Sequence, residues 1–188
     1  EVFKNISEEK IEWLAGKVAE VFNLSLSVSP LPPFGGVGVG GGVEDGRELQ
    51  FDCDWTPSTR DAFFLFLKKT KKYLPKQTRL SATIRLHQYK FPDKTGVPPV
   101  ERGMLMFYNT GDIENSETDN SIFQTSDAEK YIIGAPKNYP LPLDLALPVF
   151  SWALIYRDGE LWKIISEMPE NESVDTARFQ RSQNHTGT

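Results

Sequence analysis

The sequence predicts an α/β fold with a (β/α)8 TIM-barrel-like arrangement, a partial barrel to which a β-hairpin is added. Helix-type and strand-type segments alternate along the chain, and this order favours a layered fold with largely parallel strands. Length is the second observation, because a complete barrel needs about 250 residues and the chain has 188. About five barrel-type strands are found where eight are needed. The chain therefore forms either part of a barrel or an open sheet.

The composition is that of a folded globular chain, with 39% hydrophobic and 25% charged residues. It predicts a single barrel-like α/β domain over 1–167, followed by a polar tail over 168–188 that is expected to be poorly ordered. The net charge of -5 argues against nucleic acid as a partner, because phosphate-binding surfaces are usually basic. No apolar run approaches the roughly 20 residues of a membrane span. The sequence leaves the oligomeric state open.

The first predicted element is an amphipathic helix over 8–22. Ser7 and the acidic residues after it form a helix-start signal. Period-two alternation then predicts a short strand over 24–29, which Pro30 ends. A glycine-rich loop follows over 35–42. The apolar residues of the helix recur at helical spacing, and they are Ile11, Leu14, Val18, Val21 and Phe22.

Two strand-type segments and one helix occupy the middle of the chain. A strand is predicted over 48–55, and a helix that begins at about Pro57 follows it directly. The segment 79–88 has the clearest alternation and predicts a strand with two different faces. Its apolar face is Leu80, Ala82, Ile84 and Leu86, and its polar face is Ser81, Thr83, Arg85 and His87.

The last third of the chain contains strand-type runs and one short helix. A strand is predicted over 103–111, a helix over 126–133 and a strand over 143–152. Asp158-Gly159 then separates two alternating segments, which is a strong signal for a β-hairpin over 153–165. The predicted turn is type I′, with positive φ at both central residues.

Two carboxylates are candidates for acid and base chemistry. A period of two places Asp52 and Asp54 on the same face of their strand as Gln50, and Asp54 at its carboxyl end. Parallel α/β folds collect catalytic groups at such ends, and two carboxylates are the machinery of glycoside hydrolysis. The structural alternative is that Asp52 pairs with Arg85 and that Asp54 caps the helix that begins near Pro57.

Candidate binding residues lie on the other predicted strands. The polar face that carries Arg85 and His87 favours a polar cleft, and a histidine at a strand end is suited to holding a hydroxyl or moving a proton. Tyr108 and Asn109 are predicted to end the third strand, and Trp152 the fourth. Aromatic faces beside carboxylates are suited to sugar rings, with core packing as the alternative for each aromatic.

No cofactor and no metal are expected. The glycines of the loop at 35–42 precede a strand, whereas a dinucleotide site needs a strand before them and a helix after them. No phosphate-binding loop with Gly-Lys-Ser/Thr is present. The only histidines are His87 and His185, and Cys53 is the only cysteine, so a metal site of several such ligands is not expected.

Four stretches carry a resemblance to a known family: QFDCDWTPSTRDAFFLFL, LSATIRLHQ, GMLMFYNTGD and YPLPLDLALPVFSWALIYRDG. Over about 48–165 the chain resembles a bacterial family of unknown function that is grouped with TIM-barrel glycosyl hydrolases. The resemblance implies a (β/α)8-type fold, a link to carbohydrate and a periplasmic or secreted location, although the chain lacks the family's later barrel strands. The positions that match the family's pattern are Asp52, Asp54, His87, Asn109 and Trp152.

The sequence therefore favours a glycoside hydrolase-like domain that acts on or binds a glycan at the carboxyl ends of its parallel strands. In the catalytic version, Asp54 is the general acid/base and Asp52 is the second carboxylate or its electrostatic support. Arg85 and His87 then hold sugar hydroxyls. The alternative is a non-catalytic module that binds carbohydrate or protein on the same scaffold. The two differ in whether a second free carboxylate stands near Asp54.

Overall fold

The computed structural model describes residues 2–28 and 47–166. The predicted loop at 35–42 and the predicted tail over 168–188 lie outside the described residues. The chain divides into two compact units. Unit 1 is Glu1–Met106 with Ala135–Leu145, and unit 2 is Phe107–Gly134 with Ala146–Thr188. That residues 1–167 form a single domain stays a prediction.

The centre of unit 1 is a four-stranded sheet with the order β1-β2-β3-β4. β1 pairs in parallel with β2, and β2 in parallel with β3. The Gly103 N–H donates to the Pro142 carbonyl over 3.0 Å, and the Phe107 N–H donates to the Ala146 carbonyl over 2.9 Å. From the first of these bonds to the second, the residue numbers of the donor and of the acceptor both increase by four, so β4 runs parallel to β3. The strands are Glu48–Phe51, Arg79–Arg85, Arg102–Met106 and Leu143–Ala146.

The α/β prediction is confirmed by this parallel sheet, but a closed barrel is not formed. In the described part of the chain the order starts at β1 and ends at β4, and the sheet stays open. Gly103 leaves room for side chains of the two neighbouring strands, because a Cβ on it would lie 2.7 Å from Leu143 Cδ2 and 2.8 Å from Ile84 Cγ1. A larger residue at this position would therefore force these two side chains to move.

The core of unit 1 lies between the sheet and its first two helices, α1 (Glu8–Val28) and α2 (Arg60–Tyr73). α2 confirms the helix expected from about Pro57. The Phe63 ring is fully buried and lies 5.3 Å from Phe3 and 5.7 Å from Trp55 between ring centroids. The apolar face of β2 is buried as predicted, and its fully buried members are Leu80, Ala82 and Ile84.

The helix predicted over 8–22 is confirmed as α1, but the strand predicted over 24–29 is wrong for its described residues. α1 continues to Val28. Adding a residue to an existing helix avoids the cost of nucleation, and leucine and serine are compatible with helix. Five alternating residues directly after a helix are therefore a weak strand signal.

Four predicted strands are correct in position but too long at their carboxyl ends. β2 ends at Arg85, where α3 (Leu86–Lys90) begins, and α4 (Pro92–Thr95) follows. The Gln88 side chain accepts the Arg85 N–H over 2.8 Å and so starts a helical turn. β1 ends at Phe51, four residues before the expected end.

The strand predicted over 143–152 ends at Ala146. Pro148 follows, and a proline has no N–H with which to continue a ladder. Trp152 therefore does not end a strand of the four-stranded sheet. It begins β5 instead.

Unit 2 contains a short helix and a hairpin. α5 (Thr125–Ile132) confirms the helix expected over 126–133. β5 (Trp152–Arg157) and β6 (Glu160–Ser166) pair antiparallel. Asp158 has φ 53° and Gly159 has φ 85°, so the predicted type I′ turn is confirmed.

The third strand also ends early, since β3 stops at Met106. Beyond it the Asn109 N–H donates to the Ile122 carbonyl over 2.6 Å, and Asn109 has φ 55°. Tyr108 and Asn109 therefore lie in a loop of unit 2 and not at the end of a strand. Among the helices of residues 2–28 and 47–166, none has both the length and the apolar character of a membrane span.

Candidate functional site

The carboxyl edge of the sheet in unit 1 brings together the polar residues that follow β1 and β2. Parallel strands end at the same edge, so Asp52 and Asp54 emerge beside Thr83 and Arg85. The β1–β2 register pairs Gln50 with Ser81. Continuing this register places each aspartate next to a polar residue of β2.

Asp54 and Arg85 form a bidentate ion pair at this edge. Arg85 Nε donates to Asp54 Oδ1, and Arg85 Nη2 donates to Asp54 Oδ2. The two side chains are 51% and 47% exposed, so the pair is accessible to a ligand. Two parallel charge-assisted bonds fix the plane of the carboxylate. The predicted alternative in which Arg85 pairs with Asp52 is wrong, because the register places Arg85 beside Asp54.

Asp52 has a different partner. Its Oδ1 accepts a 2.9 Å hydrogen bond from the hydroxyl of Thr83, which is buried, while Asp52 itself is exposed. The buried Thr83 hydroxyl therefore orients one carboxylate oxygen of Asp52. Polar side chains of β1 and β2 thus share one face, as the period of two predicts.

Asp54 does not cap α2, so this structural alternative is also wrong. Thr59 is the N-cap residue of α2. The Thr59 hydroxyl accepts the Thr56 N–H over 2.9 Å, and the Arg60 N–H donates to the Thr56 carbonyl over 2.9 Å. The start of the helix is organised by these threonines, and Asp54 remains at the strand edge with Arg85.

His87 lies in α3 and not at the end of a strand, which corrects its predicted position. Burial lowers the pKa of His87 from 6.5, the Arg85 guanidinium lowers it further, and Asp54 opposes the shift. The imidazole is therefore neutral near pH 7. A neutral imidazole presents one hydrogen-bond donor and one acceptor.

Two residues at this edge were not selected from the sequence. Gln88 is 1% exposed, and its Oε1 holds the Arg85 N–H. Phe91 is 43% exposed, and its N–H donates to the His87 carbonyl, so the two residues are one helical turn apart. The ammonium groups of Lys90 and Lys94 lie 5.4 and 5.3 Å from the centroid of the Phe91 ring.

The other predicted binding residues belong to unit 2. Trp152 Nε1 donates to the Ser121 hydroxyl over 2.9 Å. The Tyr108 ring lies 5.7 Å from the Phe150 ring in an edge-to-face arrangement, and Asn109 is exposed. That Tyr108, Asn109 and Trp152 share a site with Asp54 stays a prediction.

The chemistry available at the edge is hydrogen bonding to a polar ligand. Both oxygens of Asp54 already accept hydrogen bonds from Arg85, so proton transfer by Asp54 would require this pair to open. Among the described residues, Asp52 accepts a hydrogen bond from Thr83 on its Oδ1 atom and is not held by a guanidinium. Within residues 2–28 and 47–166 no group of three histidine, cysteine or acidic side chains is placed to hold a metal ion.

Comparison with family models, with curated proteins and with solved structures finds no match to this chain. The family resemblance and the link to carbohydrate therefore stay predictions from the sequence.

Proposed function

We propose that the carboxyl edge of the sheet in unit 1 binds a glycan and does not cleave it. The observation that carries the proposal is the half-exposed bidentate pair of Asp54 and Arg85 at the end of two parallel strands. Such a pair presents acceptors and donors side by side in one plane. Neighbouring hydroxyls on a sugar ring offer the complementary donors and acceptors with fixed spacing.

The residues around the pair complete a surface that is suited to a sugar. Asp52 adds an oriented carboxylate, and His87 adds a neutral imidazole. The Phe91 ring is also exposed, but the ammonium groups of Lys90 and Lys94 lie over it. The proposal therefore depends on the polar groups of the edge and not on stacking against an aromatic ring.

Binding is favoured over hydrolysis because the two carboxylates have unequal partners. Glycosidases need one carboxyl that donates a proton and a second that acts as nucleophile or base. Asp54 has both oxygens engaged by a guanidinium, whereas Asp52 has one oxygen on Thr83. A carboxylate fixed by two charge-assisted bonds is better suited to holding a ligand than to exchanging protons with it.

The sheet is proposed to be a partial (β/α)8-type scaffold. Its strands are parallel and follow each other in chain order, from β1 to β4. Barrels have this sequential order of strands, whereas in doubly wound sheets the order of the strands reverses at a switch point. In barrels the ligand lies at the carboxyl ends of the strands, which is where Asp54 and Arg85 lie. A periplasmic or secreted location remains part of the proposal and is supported by the sequence resemblance.

The experiment combines a glycan array with titration calorimetry on the glycans that bind. Asp54→Asn keeps the shape of the side chain and removes its charge. The matched control is Asp144→Asn, because Asp144 forms a comparably exposed ion pair with Arg102 near the amino ends of β3 and β4. We expect Asp54→Asn to weaken binding at least about tenfold. The control should bind like the wild type.

Two results would overturn the proposal. One is the absence of any glycan that binds the wild-type chain, and the other is equal affinity for wild type and Asp54→Asn. Product analysis distinguishes binding from catalysis. Hydrolysis by the wild type that falls at least about a hundredfold in Asp54→Asn would assign Asp54 as a general acid/base instead.

A further inference from the structure

α1 has a buried face and an exposed face. Ile11, Ala15 and Ala19 are at most 2% exposed and recur every four residues on the side that packs on the core. The opposite side carries Trp13 and Leu24, which are 61% and 59% exposed. Both side chains therefore lie outside the core of the chain.

The exposed face follows the spacing of a helix–helix seam. Trp13, Lys17, Glu20 and Leu24 are separated by four, three and four residues, which keeps them in one line along the helix. The two ends of the line are apolar. Its centre is an ion pair, in which Lys17 Nζ lies 2.7 Å from Glu20 Oε2.

A groove of about 420 Å³ runs beside this line, between α1 and the end of α2. Tyr73 forms its α2 side, and the Tyr73 hydroxyl is held by a hydrogen bond to Glu12. The groove is open beside Gly16, since a Cβ built on this residue would meet no atom within 4 Å. The residues that line the groove are Gly16, Ala19, Glu20, Asn23, Leu24 and Tyr73.

We propose that this face binds a second copy of the chain, with the two α1 helices packed antiparallel about a two-fold axis between residues 18 and 19. The argument is self-complementarity. In such a pair each residue of the line faces the residue of the line that lies at the mirrored distance from the axis. Trp13 then faces Leu24 of the second copy, and Lys17 faces Glu20 of the second copy. Both contacts occur twice.

The proposed pairing matches apolar groups with apolar groups and opposite charges with opposite charges. Trp13 of one copy reaches the end of the groove that Leu24 and Tyr73 form on the other. The two Lys17–Glu20 pairs join into one cluster of four alternating charges.

The arrangement selects a second copy over an unrelated partner because one register satisfies all of these contacts together. Moving one helix by a turn would place Lys17 opposite another part of the helix and leave Trp13 without its apolar neighbour. The prediction is therefore a specific antiparallel register, and it is independent of the proposed glycan site.

The experiment uses charge reversal and complementation in sedimentation equilibrium. The wild-type chain should sediment at twice the 21.3 kDa of one chain. Lys17→Glu alone and Glu20→Lys alone place like charges across the axis, so each should raise the dimer dissociation constant at least about tenfold. An equimolar mixture of the two variants restores opposite charges and should form a heterodimer. Lys76→Glu, an exposed reversal outside α1, is the matched control and should dimerise like the wild type.

Circular dichroism should show the same secondary structure in all four chains, because Lys17 and Glu20 are exposed. The variants that lose the dimer should unfold at a lower temperature than the wild type at the same concentration, since association stabilises the folded chain. A wild-type chain that remains monomeric at high concentration would overturn the proposal. It would also be overturned if the mixed variants stayed monomeric, or if Lys76→Glu weakened the dimer as much as Lys17→Glu does.

Discussion

Arg85 connects the local structure of β2 with the chemistry at the edge of the sheet. Its N–H is held by the buried Gln88 side chain, and its guanidinium is held by Asp54. The backbone contact ends the strand, and the side-chain contact orients the carboxylate. One residue thus sets both where the strand stops and which groups a ligand meets.

His87 gives this site a pH dependence whose sign follows from its pKa. Burial and the Arg85 guanidinium lower the folded-state pKa of His87 below 6.5, so the unfolded chain takes up its proton first as the pH falls. The contribution of His87 to stability is complete above about pH 6.5 and is lost as the pH falls through the folded-state pKa. We therefore expect the unfolding free energy of the wild type, measured relative to that of His87→Gln, to be higher at pH 7.5 than at pH 5.

Denaturant titrations at the two pH values measure this difference directly. Glu101 does not contribute to the change in unfolding free energy between pH 7.5 and pH 5. Burial raises its pKa, but the Lys71 ammonium and the Leu80 N–H together bring it below 4.5. Its stabilising contribution is therefore lost only at lower pH. A difference between wild type and His87→Gln that stays constant with pH would show that His87 has the same pKa in the folded and unfolded chain.

At the scale of elements, the hairpin of unit 2 depends on the backbone of its turn. Gly159 has φ 85°, and a Cβ built on it would meet no atom within 4 Å. Gly159→Ala should therefore destabilise the turn through backbone strain alone, by about 1 kcal/mol. Asp158→Asn is the matched control and should be tolerated, because asparagine is favoured before glycine in type I′ turns.

Amide hydrogen exchange across β5 and β6 is the measurement, since it reports local opening of the hairpin. Faster exchange in Gly159→Ala than in Asp158→Asn is expected. Equal protection in the two variants would mean that the turn does not determine the stability of the hairpin.

The elements that the sequence predicts best are those with a local cause. The type I′ turn requires two adjacent residues at positive φ, and Asp158-Gly159 supplies them. The end of β2 was missed because it depends on a side chain three residues further along, Gln88, that competes with the next strand for the Arg85 N–H. The helical run to Val28 was missed because α1 had already been nucleated, so alternation carried little information.

In the candidate site, too, a local pattern predicts some features, and others depend on residues that are distant in the chain. The period of two correctly places Asp52 and Asp54 on one face with Thr83 and Arg85. The partner of each aspartate depends on the β1–β2 register, which pairs Glu48 with Arg79. No local pattern fixes the offset between two strands that are joined through a helix. The sequence therefore identifies the groups of the site but not the residue that each aspartate contacts.

At the scale of the whole molecule, unit 1 carries the two surfaces for which we propose separate roles. The proposed glycan site is the carboxyl edge of the sheet, and the proposed dimer face is the outer side of α1. A glycan-binding module gains apparent affinity when two copies act together, because the second binding event becomes intramolecular. Loss of the dimer in Lys17→Glu should therefore leave the affinity for a single soluble sugar unchanged.

The central claim is that the glycan lies on the Asp54–Arg85 pair, and the most direct measurement of it is an NMR titration of the ¹⁵N-labelled chain with a bound glycan. The account predicts shifts of the Arg85 Nε–H signal, of the His87 ring signals and of the backbone amides at 52–55 and 85–91. Signals of Arg102 and Asp144, near the amino ends of β3 and β4, should stay in place. Saturable shifts confined to other residues, with the Arg85 Nε–H signal unchanged, would contradict the account.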